Sequence, residues 1–353
     1  MRLEDLGYSD FFEAARIGLG LKDYSPARVI AEYKGSYRLR DGAREFSGTI
    51  TGRQMFDARS IEDYPAVGDW AVVRETGEKA VIHQVLPRKT VLKRRYGGRA
   101  ESQVIASNVD VAFVIESIDR DYNLNRFERY LTIVGDGGIK PVIVLNKADL
   151  ISEQELNDRI SQVEKRFGDI NAVKTSTIVE HGLDEMRACI LRGRTYCLLG
   201  SSGVGKSSII NTLLGKRVIR TDAISNHTGK GKHTTTAREM YFLENGGILI
   251  DTPGMREIGM TDSSAGLEKM FAEITGLARH CRFIDCTHAH EPGCAVRKAV
   301  ESGGLDENRY ANYLKLVKEA EYYEMSVVQK RRKDREFGRF MKKAKDQRKR
   351  QGP

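Results

Sequence analysis

What this sequence lacks or has little of narrows the class of protein it can be. No run of eighteen or more apolar residues occurs in the 353-residue chain, which excludes a membrane-spanning helix. The opening stretch MRLEDLGYSD carries acidic residues where a secretory leader needs a basic region followed by an apolar one, so a cytoplasmic protein is expected. Cysteine is scarce and odd in number: five in all, which makes a poor disulfide framework and suits a reducing compartment. Tryptophan occurs once, at Trp70, and is expected in a core rather than on a stacking surface. There is also no internal repeat and no heptad, and a monomer is expected. Net charge is absent too from most of the chain: twelve Lys or Arg against three Asp or Glu between Lys330 and Arg350 account for the whole +9. Such a basic tail points to a polyanionic partner.

What is present organises itself into three rhythms. With 40% hydrophobic residues the chain can bury a real core, and its length suggests two or three domains. Residues 4–19 have apolar positions at helical spacing. From Ala27 the stretches ARVIAEYK, YRLR, REFSGTI, DWAVVRE and AVIHQVL read as five short strands separated by turns. Five such strands make a small barrel, of the oligonucleotide-binding or SH3-like type. From Val109, near-continuous apolar strands (VDVAFVIES, KPVIVLN, TYCLLG, GGILID) alternate with helices, which predicts an α/β domain with a largely parallel sheet. A cysteine- and histidine-containing stretch, a long helix and the basic tail complete the chain.

Three motifs carry the chemistry. GSSGVGKS (Gly200–Ser207) is a phosphate loop between an apolar strand and a helix. Backbone N–H groups and the helix N-terminus would face the phosphates, Lys206 would reach the β- and γ-phosphates, and Ser207 would hold Mg²⁺. DTPG (Asp251–Gly254) follows the strand GILI. Asp251 is placed to hold a magnesium-bound water, and the Gly254 N–H to sense the γ-phosphate. NKAD (Asn146–Asp149) also ends a strand and selects guanine: Asp149 accepts from N1–H and the 2-amino group, Asn146 meets the other edge, and the Lys147 stem lies along the ring. KTST (Lys174–Thr177), ending the next strand, supplies a backbone contact to the base. The expected nucleotide-binding set is Asn146, Lys147, Ala148, Asp149 and Ser176 around the base. Gly200, Ser201, Ser202, Gly203, Val204, Gly205, Lys206, Ser207 and Ser208 surround the phosphates, with Asp251 and Gly254 beyond them.

An ordinary GTPase has the phosphate loop before the base-reading motif, and here the order is reversed. Strands of a sheet need not follow a fixed chain order, so cutting a domain between motifs and joining its old ends keeps the pocket. The domain is expected to be circularly permuted. On DYPAVGDWAVV, NKADL, GSSGVGKSSIIN, GKHTTTAREMYF, DTPGMREIGM and CRFIDCTHAHEPGC, in that order, the chain resembles the circularly permuted GTPases of the RsgA (YjeQ/YloQ) type. The resemblance implies an oligonucleotide-binding barrel, a permuted GTPase and a zinc domain. The corresponding division is a helical extension at 1–26, the barrel at 27–90, the GTPase at 91–277, and the zinc domain with its basic helical tail at 278–353. It also implies a GTP hydrolase that binds the small ribosomal subunit through rRNA and assists its late maturation.

Two features refine that expectation. Many GTPases place a glutamine after the DxxG glycine to orient the attacking water, and this chain has Met255 there. His233, in GKHTTT (Gly231–Thr236), is the internal candidate to position the water, with Thr235 as the Mg²⁺ ligand among three threonines and Lys206 on the phosphates. Slow hydrolysis, accelerated by the subunit and coupled to release, is expected. The alternative is a nucleotide-gated RNA-binding module in which hydrolysis is incidental. In the cysteine stretch, Cys281, Cys286 and Cys294 with His288 or His290 supply three thiolates and one imidazole, the donor set of a closed structural zinc site. The family spacing selects His288. The tail interleaves its basic residues with Phe337 and Phe340 and is expected to lie along RNA phosphates.

Overall fold

The computed structural model describes residues 1–33, 35–77, 79–95, 102–119, 122–168, 170–219, 238–251 and 264–325, together with 329, 332 and 335. The described residues divide into two compact units. One is drawn from Met1–Lys93 and Gln103–Ile258, the other from Arg94–Ser102 and Gly259–Pro353.

The first unit begins with helix α1 (Asp10–Gly18) and the barrel strands β1 (Ser25–Tyr33), β2 (Ser36–Arg40) and β3 (Glu45–Ile50). A short helix, α2 (Gly52–Asp57), then leads through an irregular stretch to β4 (Trp70–Thr76) and β5 (Lys79–Val85). The strand order β1-β2-β3-β5-β4 closes on itself through a β1–β4 pairing, and β3 runs parallel to β5. This is a closed five-stranded barrel, as expected. Alternation decides which side chains enter it: Tyr37 and Leu39 of β2 and Phe46 of β3 point inward among Val29, Val73 and Ile82. Trp70 faces the other way. It is fully buried outside the barrel under Leu6, Phe12 and Leu21, with Tyr8 edge-on at 4.7 Å. The N-terminal helix is thereby docked.

The chain continues through a two-stranded ribbon, β6 (Val91–Arg95) and β7 (Ser102–Ser107), which no local sequence pattern announces. The α/β part follows: β8 (Val111–Ser117), α3 (Leu124–Asp136), β9 (Lys140–Asn146), α4 (Glu153–Phe167), β10 (Ala172–Thr175), α5 (Asp184–Ala188), β11 (Thr195–Leu199), α6 (Lys206–Leu213), β12 (Arg238–Phe242) and β13 (Ile248–Asp251). Strands β10, β9, β8, β11 and β13 lie side by side, all parallel, and β12 joins antiparallel to β13. The parallel strands are apolar along their length because helices cover both faces.

Strand β12 also pairs antiparallel with β1, so barrel and α/β part share one eleven-stranded sheet. Arg28 of β1 sits at this junction, 1% exposed. It donates to the carbonyls of Leu6 and Asn108 and to the Thr195 hydroxyl at 2.8 Å. Burial pulls its pKa down to about 10, opposed by the charges of Asp110 and Asp69.

The second unit is helical: α7 (Ser264–Met270), α8 (Ala272–Ala278), α9 (Ala295–Glu301) and α10 (Glu307–Glu324). Phe271, Ile274, Val296 and Leu316 are buried in it, and Tyr313 meets Phe271 edge-on at 5.3 Å. Arg309 fixes α10 to its neighbours through the Glu273 carboxylate at 2.5 Å and the Met270 carbonyl at 2.9 Å. Most of the basic tail from Lys330, including Phe337 and Phe340, lies outside the described residues. No helix among the described residues is long and apolar enough to cross a membrane.

Candidate functional site

The parallel sheet brings the separated motifs to one edge. Register pairs Ser117 with Asn146 and Asn146 with Thr175, while Leu199 lies beside Val114. Strand β13 ends at Asp251 next to β11. The NKAD motif, the KTST loop, the phosphate loop and Asp251 therefore emerge from the carboxyl ends of neighbouring strands, where open α/β sheets bind ligands.

Within the phosphate loop, Gly200, Gly203 and Gly205 all have positive φ, at 154°, 81° and 101°. Glycine at 205 is required twice over. Its backbone lies in the left-handed region, and a Cβ there would fall 2.3 Å from the Asn146 amide nitrogen. At Gly200 a Cβ would meet the Ile115 carbonyl oxygen at 2.2 Å. Lys206 opens α6 and folds back over the loop, donating to the carbonyls of Gly200 and Ser201 at 2.7 and 2.6 Å.

Asn146 joins the two motifs. It is 1% exposed, its amide nitrogen donates to the Val204 carbonyl at 2.6 Å, and its amide oxygen accepts from the Thr175 hydroxyl at 2.9 Å. The side chain expected to meet the base thus ties the base loop to the phosphate loop, with one amide hydrogen left over. Asp149 accepts from the Ser176 hydroxyl at 2.5 Å, and that oxygen in turn accepts from the N–H groups of Ile178 and Val179. The Ser176 backbone N–H closes its own loop on the Gly182 carbonyl at 2.8 Å. Here Ser176 acts by orienting the carboxylate. Lys147, at φ 62° in the left-handed region, reaches Asp119 at 3.2 Å, and Ala148 opens the short turn after it.

Some contacts could not be read from a motif, although Thr175 lies within KTST. Thr175 and Asp119 support the base loop, and Arg126 of α3 reaches the Ser201 hydroxyl at 3.3 Å and the buried Glu116 at 3.5 Å. Asp119 and Arg126 are ordinary in sequence, and only the fold brings them to the loops. Ser207, in the first turn of α6, has a hydroxyl without a hydrogen-bond partner among the described residues, as suits an incoming ligand. Ser202 lies within the loop and Ser208 just after it, and Asp251 is half-buried at the strand end. His233, Thr235, Gly254 and Met255 lie outside the described residues.

The second unit holds the other constellation. Cys281, Cys286, His288 and Cys294 place their ligand atoms within 4.8 Å of one another. The Cys281 and Cys294 sulfurs are 3.9 Å apart, and each lies 3.5 Å from His288 Nδ1. Around a tetrahedral zinc with bonds of about 2.3 Å to sulfur and 2.0–2.1 Å to nitrogen, those edges would be about 3.8 and 3.6 Å. The residues fit the ion. His288 is the imidazole of the cluster, 8% exposed, and His290 is exposed outside it. Burial lowers the His288 pKa, opposed by Glu291, which favours the neutral ring a metal needs. The Tyr310 hydroxyl anchors the His288 carbonyl at 2.5 Å, and Glu291 pins the intervening loop through Thr287 and the His290 N–H.

An NKAD motif whose Asn146 is tied to a phosphate loop that follows it in the chain marks a circularly permuted phosphate-loop GTPase. The comparisons name the particular family. Residues 85–261 match the RsgA GTPase family model. The chain is 41% identical over 328 residues to Small ribosomal subunit biogenesis GTPase RsgA 1 of Bacteroides thetaiotaomicron, covering 92% of this chain and 91% of that one. It is 41% identical to Small ribosomal subunit biogenesis GTPase RsgA of Opitutus terrae, covering 91% and 90%. Among solved structures, YjeQ from Thermotoga maritima matches with a TM-score of 0.61 at 26% identity, covering 82% of this chain and 96% of that one. The circularly permuted GTPase YloQ shares the fold with a TM-score of 0.60, covering 84% and 95%. The chain belongs to the RsgA GTPase family, and its reaction is the hydrolysis of GTP.

Proposed function

We propose that this protein binds the small ribosomal subunit through its rRNA and assists late maturation, with GTP hydrolysis stimulated by the subunit and coupled to release. The observation that carries the GTP half is the Asn146 bridge at 2.6 Å, which makes one pocket of two motifs in reversed chain order. The ribosomal half is supported by relatives bearing that name over nine-tenths of both chains.

Within this reading Asp149 accepts from guanine, Lys206 and the loop N–H groups hold the phosphates, and Ser207 and Thr235 ligate Mg²⁺, with Asp251 acting through a water. Mg²⁺ neutralises phosphate charge when bound. His233 positions the attacking water in place of the glutamine that Met255 displaces. Cys281, Cys286, His288 and Cys294 hold a structural zinc, and the tail from Lys330 follows RNA phosphates. We keep the parts 1–26, 27–90, 91–277 and 278–353 as the functional division of a cytoplasmic monomer. Met255 also favours a second reading, in which GTP only gates RNA affinity.

Steady-state GTP hydrolysis with and without purified small subunits separates the two, with His233→Ala run alongside. Strong stimulation by subunits, lost in the variant, is expected. No stimulation would leave only the gated binding module.

A further inference from the structure

A cavity of about 320 Å³ opens in the barrel between β1, the end of β3, α2 and the segment leading into β4. That volume lies within the range of small-ligand sites, roughly 300–1,000 Å³. None of its lining residues belongs to the nucleotide loops. Tyr33, Tyr37 and Tyr64 line it, over an apolar wall that includes Ile61. Tyr37 is 8% exposed, yet its hydroxyl has no hydrogen-bond partner among the described residues.

Its polar wall is set by one arginine. Arg238, the first residue of β12, donates to Glu32 Oε2 at 3.1 Å and to the Gln103 amide oxygen at 3.2 Å. Both residues line the cavity. This leaves Glu32 Oε1 as an acceptor and the Gln103 amide nitrogen as a donor. Beside the cavity, Arg38 stacks over the Tyr33 ring at 5.5 Å and pairs with no carboxylate among the described residues.

An apolar peptide side chain would leave the Tyr37, Glu32 and Gln103 groups unsatisfied. A planar heterocycle with donors and acceptors on its edge would not, and a phosphate attached to it would meet Arg38. Resting on the ribosomal reading above, we propose that this cavity captures one unstacked nucleobase of an RNA strand, stacked on tyrosine, with Glu32, Gln103 and Tyr37 on its edge and Arg38 on its phosphate. Aromatic stacking contributes about 1–3 kcal/mol per base, a factor of roughly 5 to 150 in affinity.

The test uses the full chain and a single-stranded RNA of about ten nucleotides, within the usual site size, carrying a central 2-aminopurine. Fluorescence reports stacking of that base, and anisotropy reports binding. The wild type should quench the probe on binding. Ile61→Trp fills the cavity from a position already 38% exposed, so folding is not at risk. It should abolish the quench and weaken RNA about tenfold, with basal GTP hydrolysis unchanged. Tyr37→Phe, which removes the hydroxyl alone, should weaken binding about three- to tenfold. Arg38→Ala should weaken RNA but not free adenosine. Quenching that survives Ile61→Trp overturns the proposal, as does adenosine monophosphate binding as tightly as the RNA. Subunit-stimulated hydrolysis, measured on the same samples, separates the two readings. Its absence with an intact quench sinks the ribosomal function and keeps the cavity. Its presence without any quench does the reverse.

Discussion

The GTP site and the cysteine cluster solve the same problem, holding polar groups in a fixed geometry, in opposite ways. The GTP site spans Asn146 to Asp251 and is assembled by a parallel sheet whose strand ends converge. The cluster takes its four donors from fourteen consecutive residues, Cys281–Cys294, with no strand among them. Where a sheet does the positioning, chain order is free, and a permuted domain keeps its pocket. Where a short loop does it, spacing is everything, and an ion held there would supply the rigidity that a core would otherwise give.

The contrast breaks most visibly at the metal. Chelation, or Cys286→Ser, should unfold the loop between α8 and α9, because structural zinc in small domains contributes on the order of 10 kcal/mol. Stoichiometric zinc release together with lost helical circular dichroism checks it, while GTP affinity should change by no more than about threefold. If the loop keeps its structure without the ion, the comparison fails.

The sheet-built site should fail at single atoms instead. Gly205→Ala places a methyl group against the Asn146 amide and strains the loop. GTP affinity should fall by on the order of 100-fold, which is about 2.7 kcal/mol. Calorimetric titration with a non-hydrolysable analogue measures it. A smaller effect is expected from Thr175→Val, which leaves the buried Asn146 oxygen unpaired: about 1–3 kcal/mol, or roughly tenfold in affinity. The same titration, with urea unfolding as a control for stability, reads it out. Smallest is the Lys147–Asp119 pair, whose side chains are each 28% exposed. A double-mutant cycle should give about 0–1 kcal/mol, shrinking as salt rises.

Legibility follows the same division. The barrel strands, the alternating strands and helices, and α10 could all be read because period and turn residues agree locally. The β6–β7 ribbon and the small helices α2, α5, α7 and α8 could not, since such short elements exist by virtue of what they pack on. In the site, NKAD, the phosphate loop and the cysteine spacing announced themselves. Asp119 and Arg126 did not, because nothing in their neighbouring residues marks them, and Thr175, though inside KTST, gave no sign that its hydroxyl would hold Asn146.

Sequence alone determined the chemistry. Lys206, Asp149 and the three clustered thiols are residue types that few other uses require at those spacings, and the reversed motif order was visible before any fold was known. Tertiary structure decided what each group touches. It turned Asn146 into a bridge, drew the four donors of the cysteine cluster together, buried Trp70 under the N-terminal helix, and fused barrel and GTPase through β12. Spacing along a chain fixes which groups are available, but hydrogen bonds and burial depend on neighbours in space, and those neighbours come from strand pairing across distant segments.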